Sequence, residues 1–128
     1  MSVTVNSVSG GSIKAELVWT NPNPTADMAE NYKVTVDLTK YSGVIVYGIA
    51  NDGNGHSNFV YVPKGRSQEN GLLAMTRSYG RRFVGREVKC DNSGVTFGQG
   101  ADGGSGDQYK RYALPQKIWA VNINGIEV

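Results

Sequence analysis

The chain has 128 residues, of which 39% are hydrophobic and 19% charged, and a formal net charge of +2 at pH 7. This length predicts one domain over residues 1–128 that can fold without disulfides, and the single cysteine, Cys90, excludes an intramolecular disulfide framework. The small net charge argues against a nucleic-acid partner, the longest apolar runs fall short of the roughly 18 residues of a membrane span, and the first residues lack the pattern of a secretory signal.

The first part of the chain predicts strands separated by firm breaks. Ser2–Val8 and Ile13–Thr20 alternate apolar and polar residues, which is typical of half-buried strands. Asn21–Pro24 ends the second of these, because proline cannot donate to a strand ladder. Thr25–Tyr32 is expected to be a loop or a single helical turn.

The most apolar part of the chain follows. Lys33–Leu38 again alternates with a period of two, and Val44–Ala50 is the longest nearly unbroken apolar run. The second stretch is short and rich in β-branched residues, which predicts a central strand covered on both faces. Trp19, Val36, Ile45 and Val46 are therefore expected to be among the most buried residues.

The remaining chain predicts further short strands separated by turns. Asp91–Gly94 has the composition of a tight hairpin, and Gly98–Asp107 that of a glycine-rich loop. The strands expected around them are Asn58–Val62, Leu72–Arg77, Arg81–Lys89, Val95–Phe97 and Tyr109–Val121. About eight or nine short antiparallel strands at this spacing predict an all-β fold, either a β-sandwich or a jelly roll.

Motifs for catalysis or cofactor binding fail on their context. Gly98–Gly103 matches GxGxxG, but glycines follow where a nucleotide site needs a helix. Asp52–His56 resembles the start of a calcium loop, but Ser57 and Pro63 stand where a glycine and a glutamate are required. We therefore expect no cofactor, no metal site and no enzymatic activity, although a looser ion site at a loop aspartate stays open.

Basic residues are concentrated between Arg77 and Lys89, with Tyr79 and Phe83 among them. Basic and aromatic residues together can bind anionic polymers. The alternative is a solvated edge strand, on which charges prevent aggregation.

Several stretches, taken in order, carry a resemblance to a known family. Leu17–Thr25 reads LVWTNPNPT and Val34–Val46 reads VTVDLTKYSGVIV. They are followed by Arg86–Phe97, by the glycine-rich Gly98–Asp107 and by Tyr112–Val121. This succession resembles small tail-fibre or tail-tip modules of phages and prophages of gut Firmicutes. The chain departs from their pattern at residues 25–32 and 77–86.

The resemblance implies a function, although it carries over no catalytic residue. A virion appendage made in the bacterial cytoplasm is expected, in a homotrimer that binds host surface glycans or other virion proteins. Two alternatives remain. One is a structural or capsid-decorating protein without glycan binding, and the other, less favoured, is a polysaccharide depolymerase with a pair of carboxylates.

Loops on a rigid β scaffold are the expected place for a glycan site, because they present polar groups beside flat apolar faces. Two loops are candidates, Asn51–Asn58 and Gly98–Tyr109, with the turn at Tyr79 as a third edge if it lies at the same end of the sandwich. The ligand-binding residues predicted from these loops are Asp52, Asn54, His56, Tyr79, Arg81, Asp102, Asp107 and Tyr109. The alternative is that these are ordinary hairpin loops.

Overall fold

The computed structural model describes residues 12–51, 56–64, 71–77, 82–102 and 110–124. The strand predicted at Ser2–Val8 lies outside these ranges. The described residues contain no helix that could cross a membrane. The strands are β1 (Ser12–Thr20), β2 (Tyr32–Thr35), β3 (Gly43–Ile49), β4 (Ser57–Pro63), β5 (Gly71–Arg77), β6 (Arg82–Asp91), β7 (Gly94–Asp102) and β8 (Leu114–Asn124).

The strands form two four-stranded antiparallel sheets. The first sheet has the order β1-β8-β3-β4 and the second the order β2-β7-β6-β5. The pairs β3–β4, β5–β6 and β6–β7 join neighbours in sequence, whereas β1–β8, β3–β8 and β2–β7 join distant segments. This arrangement confirms the predicted all-β fold and makes it a β-sandwich.

The core lies between the inner faces of the sheets, where alternate residues of each strand are buried. Val44 and Val46 of β3 face Val84 and Val88 of β6 across this layer, with Phe97 of β7 beside them. Each is fully buried. Val44–Ala50, which was predicted to be covered on both faces, is therefore fully buried on one face only.

The predicted burial of single residues was only partly right. Val46 is fully buried, but Trp19, Val36 and Ile45 are partly buried. Ile45 lies on the outer face of β3, because this strand is central within its sheet but is covered by the second sheet on its inner face only. A β-bulge between Leu17 and Trp19 reverses the alternation of β1. Leu17 therefore points outward.

Trp19 points inward as a result of this bulge. Its ring centroid lies 6.2 Å from that of Tyr32 and 6.0 Å from that of Phe97, both in the second sheet. The bulge therefore places the indole between the two sheets, beside the rings of Tyr32 in β2 and Phe97 in β7.

Two strand boundaries, the end of β2 and the start of β8, differ from their predicted positions. β2 ends at Thr35 rather than Leu38, because the N–H groups of Val36 and Leu38 bond to the carbonyls of Ser93 and Asn92 in the β6–β7 turn. The last strand begins at Leu114 rather than Tyr109.

The glycine-rich loop predicted at Gly98–Asp107 begins later than expected. β7 continues through Asp102, since Gly100, Ala101 and Asp102 pair with Arg86, Gly85 and Val84 of β6. Glycine weakens a strand on its own, but here a partner strand supplies the hydrogen bonds. Residues 103–109 lie outside the described ranges.

Arg86 is the most unusual residue of the core, because it is charged and fully buried. Its guanidinium donates to five backbone carbonyls: Ala113 (3.0 Å), Met28 (3.4 Å), Gly98 (2.7 Å), Lys110 (2.9 Å) and Tyr112 (2.9 Å). A guanidinium has five N–H donors, so its donating capacity is matched. Burial lowers the pKa of Arg86 to about 10, and the group keeps its charge at neutral pH.

The basic cluster predicted between Arg77 and Lys89 is therefore not one surface. Arg86 faces the core, while Lys89 on the other side of β6 is exposed. β6 lies inside its sheet between β5 and β7, so the alternative of a solvated edge strand is wrong for β6, whereas Arg77 ends β5, which is an edge strand.

Replacing Arg86 tests the contribution of its hydrogen bonds. We expect Arg86→Lys to lower the free energy of unfolding by about 2–4 kcal/mol, because an ammonium has three donors and cannot span five carbonyls, and buried acceptors left without donors are costly. Urea denaturation measures this change. Lys89→Ala, on the exposed face of the same strand, should change it by no more than about 0.5 kcal/mol. Equal stability of Arg86→Lys and the parent would contradict this account.

Val46 and Ile45 are adjacent residues on opposite faces of β3. Val46→Asp should prevent cooperative folding, because it places a carboxylate without a partner in the core. Ile45→Asp should fold, since water reaches the outer face. Thermal unfolding followed by circular dichroism distinguishes the two variants, and a cooperative transition in Val46→Asp would refute the assigned facing.

Candidate functional site

The outer face of the second sheet carries a groove of about 520 Å³. It crosses β5, β6 and β7 and is bounded on one side by the loop that precedes β2. We call it the outer groove. Its lining residues are Glu30, Asn31, Leu72, Phe83, Gly85, Glu87, Lys89, Gly98, Gln99 and Ala101.

Small residues form the floor of the outer groove. The strand register places Gly85 and Ala101, which line the groove, side by side across β6 and β7, and Ala74 of β5 lies next to Gly85. A Cβ at Gly85 would lie 3.2 Å from Cδ1 of Leu72, and larger side chains there would fill the depression. Gly98 also keeps the depression open, because a Cβ at this position would lie 3.2 Å from the Cβ of Glu87.

Two large apolar side chains border this floor. Phe83 is 54% exposed and Leu72 is 55% exposed. Their cross-strand partners are Thr76 and Glu87, one row to either side of the Ala74–Gly85 pair. The ring of Phe83 and the small floor together offer an apolar surface that a ligand can cover.

The polar groups of the outer groove come from three parts of the chain. Glu87 and Lys89 project from β6, Gln99 from β7, and Glu30 and Asn31 from the loop before β2. Asn31 adopts a φ of 64°, a left-handed conformation that asparagine tolerates better than most residues. The groove thus combines carboxylates, amides and an ammonium around an apolar strip.

This combination suits a carbohydrate. A sugar ring has an apolar face that packs on an aromatic ring or a flat apolar surface, and hydroxyls that bond to amides and carboxylates. Among the described residues, no group of three His, Cys, Asp or Glu side chains is placed to hold a metal ion.

Six of the eight predicted ligand-binding residues lie outside the described ranges. They are Asp52, Asn54, Tyr79, Arg81, Asp107 and Tyr109. The other two are described. His56 is partly buried immediately before β4, and its carbonyl accepts a hydrogen bond from the Ala50 N–H. Asp102 is the last residue of β7 and is only 2% exposed, so it lies in the sandwich rather than on a surface loop.

The strand ends beside the predicted loops lie at one end of the sandwich. Ile49 pairs with both Ser57 and Leu114, which brings together the end of β3 and the starts of β4 and β8. In the second sheet the end of β5 and the end of β7 both pair with the start of β6. Asn58 of β4 donates to the carbonyl of Ala74 in β5 at 2.8 Å and joins the two groups. Arg77 of β5 and Arg82 of β6, the described residues on either side of the predicted Tyr79 turn, therefore lie at the same end as the strand ends beside the two predicted loops.

The outer groove was not predicted from the sequence, although one signal for it was present. Phe83, Gly85, Glu87 and Lys89 occupy alternate positions of β6, opposite the buried Val84. A large aromatic residue and a glycine on the solvent side of an internal strand indicate a surface that a ligand can cover. The contributions of Glu30 and Gln99 have no local signal, because they depend on which segments fold together.

Cys90 and His56 do not form a nucleophile–base pair. Cys90 lies near the β6–β7 turn, where it pairs with Val95, whereas His56 precedes β4 at the other end of the sandwich. Burial and the neighbouring Asp91 carboxylate raise the pKa of Cys90 to about 11. The thiol is therefore protonated at neutral pH.

No family model, curated protein or solved structure matches this chain. The function proposed below therefore depends on the outer groove and on the resemblance of the sequence motifs.

The raised pKa of Cys90 predicts slow thiol chemistry. At pH 8 we expect alkylation by iodoacetamide to be more than about a hundredfold slower than that of free cysteine, because the thiolate is the reacting form. The rate should rise with pH up to about 11, the pKa of this thiol. Mass spectrometry over a pH series measures this, and rapid modification at pH 7 would contradict it.

Proposed function

We propose that this chain is a glycan-binding domain of a bacteriophage tail appendage and that the outer groove is its binding site. The observation that carries the proposal is the exposed Phe83 ring beside a floor of small residues, within a groove also lined by carboxylate, amide and ammonium groups. The virion setting is supported by the motifs from Leu17 to Val121, which resemble tail-fibre and tail-tip modules.

The apolar strip favours a ligand with an apolar face, such as a sugar, over a ligand that is bound by charge alone. Phe83 and Leu72 keep more than half of their surface exposed, which costs free energy unless a partner covers it. Floor residues without long side chains leave room for a ring to lie flat on the sheet. The polar groups at the border can then bond to hydroxyls at its edge.

The mixed charges favour a neutral or weakly charged glycan. Glu30 and Glu87 oppose anionic polymers, and Lys89 offsets only one of these charges. Arg86 adds no positive charge to the groove, because its side chain faces the core. The ligand class that fits best is therefore a hexose-containing surface polysaccharide without phosphate or sulfate groups.

Binding is tested first on an array of bacterial surface glycans, and then by calorimetry with a soluble oligosaccharide that binds. Phe83→Ala should weaken binding about tenfold or more, because burial of the ring and its stacking contribute about 1.5 kcal/mol. Phe59→Ala is the matched control, since Phe59 is 60% exposed on the opposite face of the sandwich. A monovalent oligosaccharide makes the result independent of self-association.

A second set of variants in the same binding experiment changes the loop residues predicted from the sequence. Asp107→Ala with Tyr109→Ala, and Asp52→Ala with His56→Ala, change residues of the predicted loops and none of the residues named above as lining the outer groove. If one of these double variants loses binding while Phe83→Ala keeps it, the site lies at the loop end. Binding of no glycan by the parent protein would contradict the proposal as a whole.

The setting in the virion is tested separately. Immunogold labelling of phage particles should place the chain on the tail, whereas a capsid-decorating protein would be found on the head. This result does not depend on whether the outer groove binds a glycan.

A second candidate function has a specific observation behind it. Glu30 and Glu87 both line the outer groove, and a pair of carboxylates is what a glycosidase requires. A depolymerase would release reducing ends from a bound polysaccharide, and Glu87→Gln would stop this release. Binding without release of reducing ends favours the binding domain.

A further inference from the structure

Strand β7 carries one residue more than the part of β6 that faces it. From Phe97 to Gly100 the chain advances three residues, while the partners of these two, Val88 and Arg86, are two residues apart. This is a β-bulge, in which an extra residue disturbs the ladder and changes the direction of nearby side chains. Because β7 lies between β2 and β6, the bulge acts in the middle of the second sheet and not at a free edge.

The bulge brings Gln99 into the outer groove. Consecutive residues of a regular strand point to opposite faces, yet Gly98 and Gln99 both line the groove. The alternation resumes after them, with Ala101 in the groove and Asp102 buried. Regular alternation after Gly98 would instead turn Gln99 and Ala101 into the core and leave Asp102 outside. The extra residue therefore decides which side chains of β7 a ligand can reach.

Arg86 fixes the bulge from the core side. Its guanidinium donates to the carbonyl of Gly98 at 2.7 Å, the shortest of its five hydrogen bonds. Gln99 therefore follows a residue whose carbonyl is held by a buried side chain, and Gln99 is itself half-buried. Both features reduce the conformational freedom that a ligand would have to remove on binding.

Gln99 lies across the floor of the groove from Phe83. Gly85 of β6 pairs with Ala101 of β7, and because the strands are antiparallel, Phe83 and Gln99 lie on opposite sides of this pair. Each is two residues from the pair, which is about 7 Å along its strand. A ring that lies on the floor therefore meets an aromatic side chain on one side and an amide on the other.

The amide of Gln99 can make hydrogen bonds that the charged groups of the groove cannot. The carboxylates of Glu30 and Glu87 only accept and the ammonium of Lys89 only donates, whereas an amide does both. Two adjacent hydroxyls of a sugar also donate and accept. One amide can therefore bond to both hydroxyls at once, and a sugar in which one hydroxyl has the other orientation loses a bond.

We propose that Gln99 is the residue by which the outer groove distinguishes one sugar from another. The role of Gln99 rests on the proposed glycan-binding function and adds to it a class of ligand, a neutral sugar with two adjacent hydroxyls in one relative orientation. Asn31 also carries an amide in the groove, but it belongs to the bordering loop, whereas Gln99 belongs to the sheet that forms the floor.

The array of bacterial surface glycans measures this discrimination directly. Gln99→Ala should bind more evenly than the parent to glycans that differ in the orientation of one hydroxyl, because the group that tells them apart is gone. Phe83→Ala should weaken binding to all of them alike, since ring stacking does not depend on that orientation.

Calorimetry then uses a soluble oligosaccharide of the glycan that the parent binds most strongly on the array. Gln99→Ala should weaken binding about tenfold, the loss expected for one or two hydrogen bonds between uncharged groups. Gln99→Glu should weaken it at least as much, because it keeps the length and an acceptor but lacks the two donors. Both changes lie on the outer face and should leave the fold intact, which circular dichroism verifies.

The matched control is Thr96→Ala, a change on the outer face of the same strand, where Thr96 pairs with Lys89. It should bind like the parent. If Gln99→Ala keeps the affinity and array profile of the parent while Phe83→Ala loses binding, the role of Gln99 is refuted and the proposed function stands. A loss in Thr96→Ala equal to that in Gln99→Ala would also refute it. A parent that binds no glycan, or binding that neither Phe83→Ala nor Gln99→Ala changes, would overturn both this role and the assignment of the site.

Discussion

A charged guanidinium in the core of a β-sandwich constrains everything around it. Arg86 stays charged at neutral pH, so its burial is tolerable only where acceptors match its donors. It finds them in the carbonyls of Met28, Gly98 and the segment Lys110–Ala113. Three stretches that are distant in sequence therefore have to meet around one side chain.

This hydrogen-bond cluster lies directly beneath the outer groove. Gly98 accepts from Arg86 with its carbonyl and lines the groove on the other side of the sheet. Met28 is two residues before Glu30, so holding its carbonyl also positions the loop that borders the groove. The register shift between β6 and β7 occurs between Arg86 and Val88, next to this point. Arg86 thus acts as a positioning residue for a surface that it does not reach.

The two outer faces of the sandwich differ in chemistry. The second sheet offers a depression with mixed polar groups, and the first sheet offers a flat aromatic surface with almost no charge. A depression with polar groups favours a small, directional ligand, whereas a flat apolar face favours another flat apolar face. The two outer faces therefore favour different kinds of partner.

The amino-acid sequence by itself determined the strand content, most strand positions, the break at Asn21–Pro24 and the hairpin at Asp91–Gly94. These depend on side-chain alternation, proline and turn residues, which act over a few neighbouring positions. At that hairpin, for example, Asp91 accepts hydrogen bonds from the N–H and hydroxyl of Ser93 two residues away. In β6, Val84 and Val88 lie on one face and Phe83 and Glu87 on the other, as alternation along a strand requires.

Only the tertiary structure decided which of those faces is covered and what each side chain meets there. The sequence suggested that Arg86 is part of a basic surface. Its burial could not be predicted locally, because the carbonyls that accept its hydrogen bonds belong to residues far away in sequence. Leu17 and Trp19 separate because β1 bulges against β8, and Gly98–Asp102 is a strand because β6 supplies its ladder. The outer groove combines Glu30, Phe83 and Gln99 in the same way. A period of two shows which residues of a strand share a face. Whether that face is buried depends on other segments of the chain, which come together only on folding.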